Sequence, residues 1–182
     1  MRVIAGRYKG RRLKAPTWDG LRPTSDKLRE TLFNILAPRI AGARVLDGYA
    51  GTGAVGIEAL SRGAAHVTFI EKNRRAAALI AENLQGCSAE AVYTIECGDV
   101  PSVLRKTDGA KFDLVLLDPP YDLPNVKEAL EAAAVHLASD GLLVLERATR
   151  HDPDVPSSLA RVRDVKSGDS TLTFFRIANR ES

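Results

Sequence analysis

The chain has 182 residues, 45% of them hydrophobic and 27% charged, the balance of one folded domain with a full core rather than of a disordered chain. Its apolar runs, such as Leu142 to Leu145, are far too short to span a bilayer, and the charged N-terminus holds no apolar signal core, so the sequence reads as cytoplasmic with no membrane partner. The net charge is only +3, but residues 1–40 hold ten Lys/Arg against three Asp/Glu, a net +7, and the remainder is net −4, the pattern of a phosphate-contacting extension on a near-neutral catalytic domain.

Residues 1–22 are therefore read as a basic extension and 23–182 as the catalytic domain. Two short β-type runs flank Gly6 to Gly10, which predicts a small N-terminal hairpin. Thr24 or Ser25 caps a helix running to about Leu36, with Pro38 and Gly42 marking its end. A strict alternation follows. Strands are expected at Arg44–Asp47, His66–Glu71, Val92–Cys97, Phe112–Asp118 and Leu142–Glu146. Helices are expected at Gly53 to about Arg62, Arg74–Leu84, near Val103, and Asn125–Leu137. The apolar core of the fourth strand, Leu114 to Leu117, marks it as central. Leu159–Val165 and Thr171–Ile177 are β-like runs joined by Ser167-Gly168-Asp169-Ser170, a turn short enough for a hairpin. The βαβα order implies a parallel sheet covered on both faces, and the closing hairpin favours a methyltransferase variant of that architecture over a dehydrogenase. Cys87, Cys97 and the three histidines, His66, His136 and His151, lack metal-ligand spacing, so no metal is expected.

Candidate chemistry sits at the strand ends. Asp47-Gly48-Tyr49-Ala50-Gly51-Thr52-Gly53-Ala54-Val55-Gly56 turns from the first strand into a helix, and glycines at 51, 53 and 56 allow close approach to a cofactor. Nicotinamide and flavin enzymes share that spacing. Asp47 separates the cases, because a carboxylate there repels a pyrophosphate but attracts the ammonium and sulfonium of S-adenosylmethionine. Glu71 ends the second strand, where it can accept both ribose hydroxyls. Asp99 follows the third and can accept from the adenine amino group, with the backbone N–H of Val100 facing a ring nitrogen.

Asp118-Pro119-Pro120-Tyr121, directly after the central strand, is the sharpest motif. The prolines hold the loop in one shape. The Asp118 carboxylate and the Pro119 carbonyl then supply two acceptors for one substrate amine. An exocyclic base amine is a poor nucleophile; two acceptors favour a pyramidal nitrogen and stabilise the positive charge that develops on it. Tyr121 offers a stacking face for the base. Catalytic roles thus fall on Asp118, Pro119 and Tyr121. Cofactor binding falls on Asp47, Gly51, Gly53, Gly56, Glu71, Asp99 and Val100. Arg7, Lys9, Arg11, Arg12, Arg22, Lys27 and Arg29 are candidates for RNA contacts.

With these motifs in hand, the sequence resembles the bacterial small-subunit ribosomal RNA guanine-N2 methyltransferases of the RsmD type. The likeness runs from Arg2 to Leu13, through Gly20-Leu21-Arg22-Pro23-Thr24 to Phe33, and on through the Asp47 turn to Leu117-Asp118-Pro119-Pro120-Tyr121. It implies a Rossmann-like class I S-adenosylmethionine-dependent fold: an α/β, mostly parallel seven-stranded sheet with a C-terminal antiparallel hairpin and a small N-terminal β-hairpin. It further implies a monomer acting on guanine N2 of 16S ribosomal RNA in the small ribosomal subunit. Gly48-Tyr49 departs from the family's usual Leu-Phe.

The residues leave rivals open. The Asp118 loop serves adenine N6 or a glutamine amide equally well. A nicotinamide oxidoreductase accounts for the glycines and Glu71 but not for Asp47, the Asp118 loop or the final hairpin. A non-catalytic RNA-binding assembly factor would retain the fold without turnover.

Overall fold

A computed structural model of the chain describes residues 1–18 and 25–178. Its helices are α1 (Asp26–Ile40), α2 (Ala54–Ser61), α3 (Arg74–Gly86), α4 (Val100–Lys106) and α5 (Val126–Val135), and its strands β1 (Arg44–Gly48), β2 (His66–Glu71), β3 (Tyr93–Cys97), β4 (Phe112–Leu117), β5 (Leu137–Ala148), β6 (Leu159–Ser167) and β7 (Ser170–Ile177). The strands form one seven-stranded sheet in the order β3-β2-β1-β4-β5-β7-β6. β1 to β5 pair in parallel, while β7 runs antiparallel to both β5 and β6. This is the expected mostly parallel sheet closed by a hairpin.

Period-two alternation divides the core into two layers. Leu114, Leu116 and Val144 face one layer with the apolar stripes of α1, α2 and α3. Val115, Leu117, Leu143 and Leu145 face the other with α4 and α5. Strands buried on both faces read as continuous apolar runs, which is why β4 was legible as central.

Two boundaries differ from expectation. Helix α1 continues through Pro38 to Ile40. Ile40, one turn beyond Leu36, is buried with it, and this packing offsets the single hydrogen bond Pro38 cannot make. At the other end Ser25 is the cap, its hydroxyl accepting the Leu28 N–H at 3.2 Å. Helix α5 stops at Val135 and β5 starts at Leu137, five residues earlier than the apolar run suggests. His136 makes that corner: its ring nitrogens lie 3.0 and 2.8 Å from the carbonyl oxygens of Ala110 and Leu104.

The first thirteen residues fold back at Gly6 to Gly10, as the hairpin reading expects. Their flanks meet through one isolated antiparallel bridge, Arg2 to Arg12, rather than an extended ladder. The segment docks on α2 through its own main chain. Glu58, fully buried, accepts the N–H groups of Ile4 at 2.8 Å and Ala5 at 3.0 Å. The Ser61 carbonyl accepts Arg7 N–H at 2.7 Å, and the Ser61 hydroxyl accepts Tyr8 N–H at 2.9 Å. Gly6 has φ +83°, and a Cβ there would stand 2.0 Å from the Ser61 carbonyl oxygen, so only glycine allows this approach. Val3, Tyr8 and Leu13 anchor the arm in the core.

Candidate active site

The strand order reverses between β1 and β4, and at the carboxyl ends of these strands lies a cavity of about 650 Å³. This is where an open parallel sheet binds ligands, and the volume suits a nucleotide-sized cofactor. The cavity is lined by Asp47 from β1, Glu71 from β2, Asp99 and Val100 from the start of α4, and Asp118, Pro119 and Tyr121 from the loop after β4. The structure thus brings together acids from four strand ends.

Asp47 is only 3% exposed and its carboxylate accepts the Gly56 N–H at 2.8 Å. Burial pushes its pKa well up; the Gly56 hydrogen bond opposes this, and the nearby charges of Asp118 and Glu71 add to it. A cationic ligand beside it would offset that penalty. Glu71 accepts Gly51 N–H at 2.9 Å through one oxygen and Asn73 N–H at 2.8 Å through the other. Those bonds fix the carboxylate, and each oxygen keeps a second lone pair for a hydroxyl. Asp99 caps α4 by accepting the Ser102 N–H at 3.3 Å and its hydroxyl at 3.0 Å, both through one oxygen. The cavity wall therefore carries carboxylate acceptors at three neighbouring strand ends.

The three glycines divide. Gly51 lines the cavity; Gly53 and Gly56 do not. Gly53 is the left-handed residue that caps α2. At Gly56 a Cβ would lie 2.2 Å from the Phe69 ring, so this glycine lets α2 settle on β2. Its N–H reaches the cavity only through Asp47, whose carboxylate accepts it.

Asp118 leaves β4 with its N–H directed to the Gly48 carbonyl at 3.3 Å. Pro119 is buried, and the Tyr121 hydroxyl lies 2.7 Å from that of Ser170 on β7.

The basic candidates scatter. Arg7, Lys9, Arg11 and Arg12 are exposed on the arm, which its backbone bonds to α2 make possible. Arg7 pairs with Glu90 at 2.7 Å on the surface. The arm's turn sits against Ser61, the last residue of α2, whereas the start of that helix lines the cavity. At 1.5 Å per residue this puts the tip roughly 12 Å from the cavity. Lys27 is exposed on α1. Arg29, expected to reach RNA, is instead fully buried: Nη2 donates to the Arg2 carbonyl at 2.5 Å and pairs with Asp26 at 2.9 Å. It holds the arm and cannot touch RNA in this conformation. Arg22 lies outside the described residues.

Several cavity residues carry no sequence signal of their own. Trp18, the sole tryptophan, lines the cavity from the end of the arm. Tyr49 adopts φ 62°, unusual for a non-glycine residue, and lines the same wall. Burial first, then the charges of Asp99 and Glu128, push its phenol pKa up. Ser167, Asp169 and Ser170 reach the cavity from the β6–β7 turn.

Comparison with known proteins gives a consistent set of relatives. The model of the family described as "Conserved hypothetical protein 95" matches residues 1–176. The chain is 35% identical over 185 residues to the Ribosomal RNA small subunit methyltransferase D of Escherichia coli K12, covering 100% of this chain and 91% of that protein. It is 41% identical over 132 residues to the protein of the same name from Haemophilus influenzae, covering 71% and 68% of the two chains. Among solved structures, the putative methyltransferase yhhF from Escherichia coli superposes with a TM-score of 0.86 at 34% identity, over 99% of both chains.

Proposed function

The chain belongs to the conserved hypothetical protein 95, or RsmD, family, and from that premise we propose that it methylates 16S ribosomal RNA at the exocyclic N2 amine of a guanine, in the assembled or partly assembled small subunit. The methyl donor is S-adenosylmethionine, whose sulfonium supplies an activated methyl group when bound.

One observation carries the reading: the Asp118 to Tyr121 loop and the strand-end acids Asp47, Glu71 and Asp99 share one cavity. Asp47 faces the methionine ammonium, Glu71 the ribose hydroxyls, and Asp99 with the Val100 N–H the adenine edge. Gly51 permits close approach of the backbone. On the substrate side, Asp118 and the Pro119 carbonyl accept the two N–H bonds of the amine and orient its lone pair. That positioning supplies much of the rate, because an in-line displacement demands one approach direction. As positive charge develops on the nitrogen, the Asp118 carboxylate stabilises it and stands where it can take the proton that the methylated amine must lose. Tyr121 stacks on the base once it leaves its helix or loop. The exposed arm cations Arg7, Lys9, Arg11 and Arg12 contact phosphates away from the reacting base, reading position rather than sequence. Lys27, exposed on α1, extends that surface.

The test is transfer of labelled methyl from S-adenosylmethionine to small subunits, protein-free 16S RNA and DNA, with acceptors from cells lacking this enzyme. Label recovered as N2-methylguanine, and more of it on assembled particles, is the expected result. Label recovered as N6-methyladenine or on DNA would overturn the substrate assignment. Label confined to protein-free RNA would overturn the assembled-subunit reading.

A further inference from the structure

The β6–β7 turn is far along the chain from the Asp118 loop, yet the two share a wall. The hydroxyls of Tyr121 and Ser170 lie 2.7 Å apart across 49 residues of sequence. Ser170 is a fixed point. It opens β7, pairs with Ala148 of β5 on one side and Ser167 of β6 on the other, and ends both ladders. The turn beside it is clipped by Thr149, whose N–H donates to the Asp169 carbonyl at 2.8 Å and whose hydroxyl meets that of Thr171 at 2.9 Å. Thr171 and Thr173 are fully buried, and Arg147 Nε donates to the Thr173 hydroxyl at 2.9 Å. Tyr121 rides on a turn, closed by the Leu123 N–H donating to the Pro120 carbonyl at 3.0 Å.

We infer that Ser170 is a positioning residue of the reaction: it anchors the Tyr121 ring at the place where the substrate base stacks. The inference rests on the reading of Tyr121 as the stacking face. The phenol oxygen lies on the axis about which the ring turns, so a bond there fixes the direction in which the side chain leaves the backbone and anchors the far end of the ring. The ring's position is then set by the sheet as well as by the loop that carries it. A base stacked on a ring held this way presents its amine to the methyl at one height, and a displacement of about 1 Å is enough to slow such a transfer severely. The effect is on orientation, so it belongs in kcat and leaves the methyl donor's affinity alone.

The experiment compares Ser170→Ala, Tyr121→Phe, the double variant and Tyr121→Ala. It measures kcat and KM for methyl transfer to small-subunit particles and S-adenosylmethionine binding by calorimetry. Ser170→Ala and Tyr121→Phe are each expected to lower kcat by about three- to tenfold, the worth of one neutral hydrogen bond, with KM and cofactor affinity unchanged. The double variant should lose no more than either single change, because both break the same bond. Wild-type kcat in Ser170→Ala, or losses that multiply in the double variant, would overturn the positioning role. Tyr121→Ala should lose more, since the ring itself is gone. Wild-type turnover in Tyr121→Ala would remove the stacking reading instead, whatever Ser170 does.

Discussion

Asp47 has the least comfortable carboxyl of the site: buried at the end of β1, close to Asp118 and Glu71, with its pKa raised by burial. Folding favours its protonated form, so above the ordinary value of about 3.9 the group withdraws stability as pH rises through its folded pKa. Asp47→Asn keeps an acceptor for the Gly56 N–H and removes the buried charge. At neutral pH the ligand-free variant should melt higher, by about 2–4 °C for each kcal/mol regained, and scanning calorimetry across pH should find the two proteins converging toward acid. The same change should weaken S-adenosylmethionine by about 10- to 100-fold in a binding titration, since the ammonium no longer meets a charged acceptor. Asp118→Ala should do the reverse: near-normal cofactor affinity, with kcat lower by about 10²–10³ in single-turnover methyl transfer. These acids were legible because each follows an apolar strand. Trp18, Tyr49 and Ser170 were not, because only the folded chain carries them to the cavity. Nor could spacing separate Gly51, which faces the cavity, from Gly56, which faces Phe69.

Helix α2 serves two sites from opposite ends. Its start meets the cavity wall, and Glu58 and Ser61 near its close receive the arm. Glu58 is fully buried, accepts two arm amides and pairs with Arg62 at 2.8 Å. Glu58→Ala would leave Arg62 and the buried Arg29 without that counter-charge. The expected cost is about 3–5 kcal/mol of stability, read by chemical denaturation, and the Ile4 and Ala5 amides should lose their protection in hydrogen exchange. The elements were legible where period and punctuation agree, as in β1 to β4. They were misjudged where a distant contact decides: Ile40 draws α1 past Pro38, and His136, bonded to two carbonyls, turns α5 directly into β5.

Across the whole molecule an excess of positive charge lies in the first forty residues, while Asp47, Glu71, Asp99 and Asp118 meet at the cavity. The imbalance was plain in the sequence; the docking was not, because main-chain hydrogen bonds leave almost no trace in residue types beyond Gly6. With the backbone turned inward, Arg11 and Arg12 face solvent. Reversing both to glutamate should weaken RNA binding and flatten its salt dependence by about 0.7–0.9 in slope for each phosphate that is no longer neutralised; filter binding over a salt series measures both. The arm also imposes an order of events on synthesis. Ile4 leaves the ribosome long before its acceptor Glu58, 54 residues behind it, so the basic segment emerges well ahead of the helix that receives it. Until α2 has been made, the arm has no helix to settle on, and the newborn chain trails a positively charged thread beside the ribosome's own RNA.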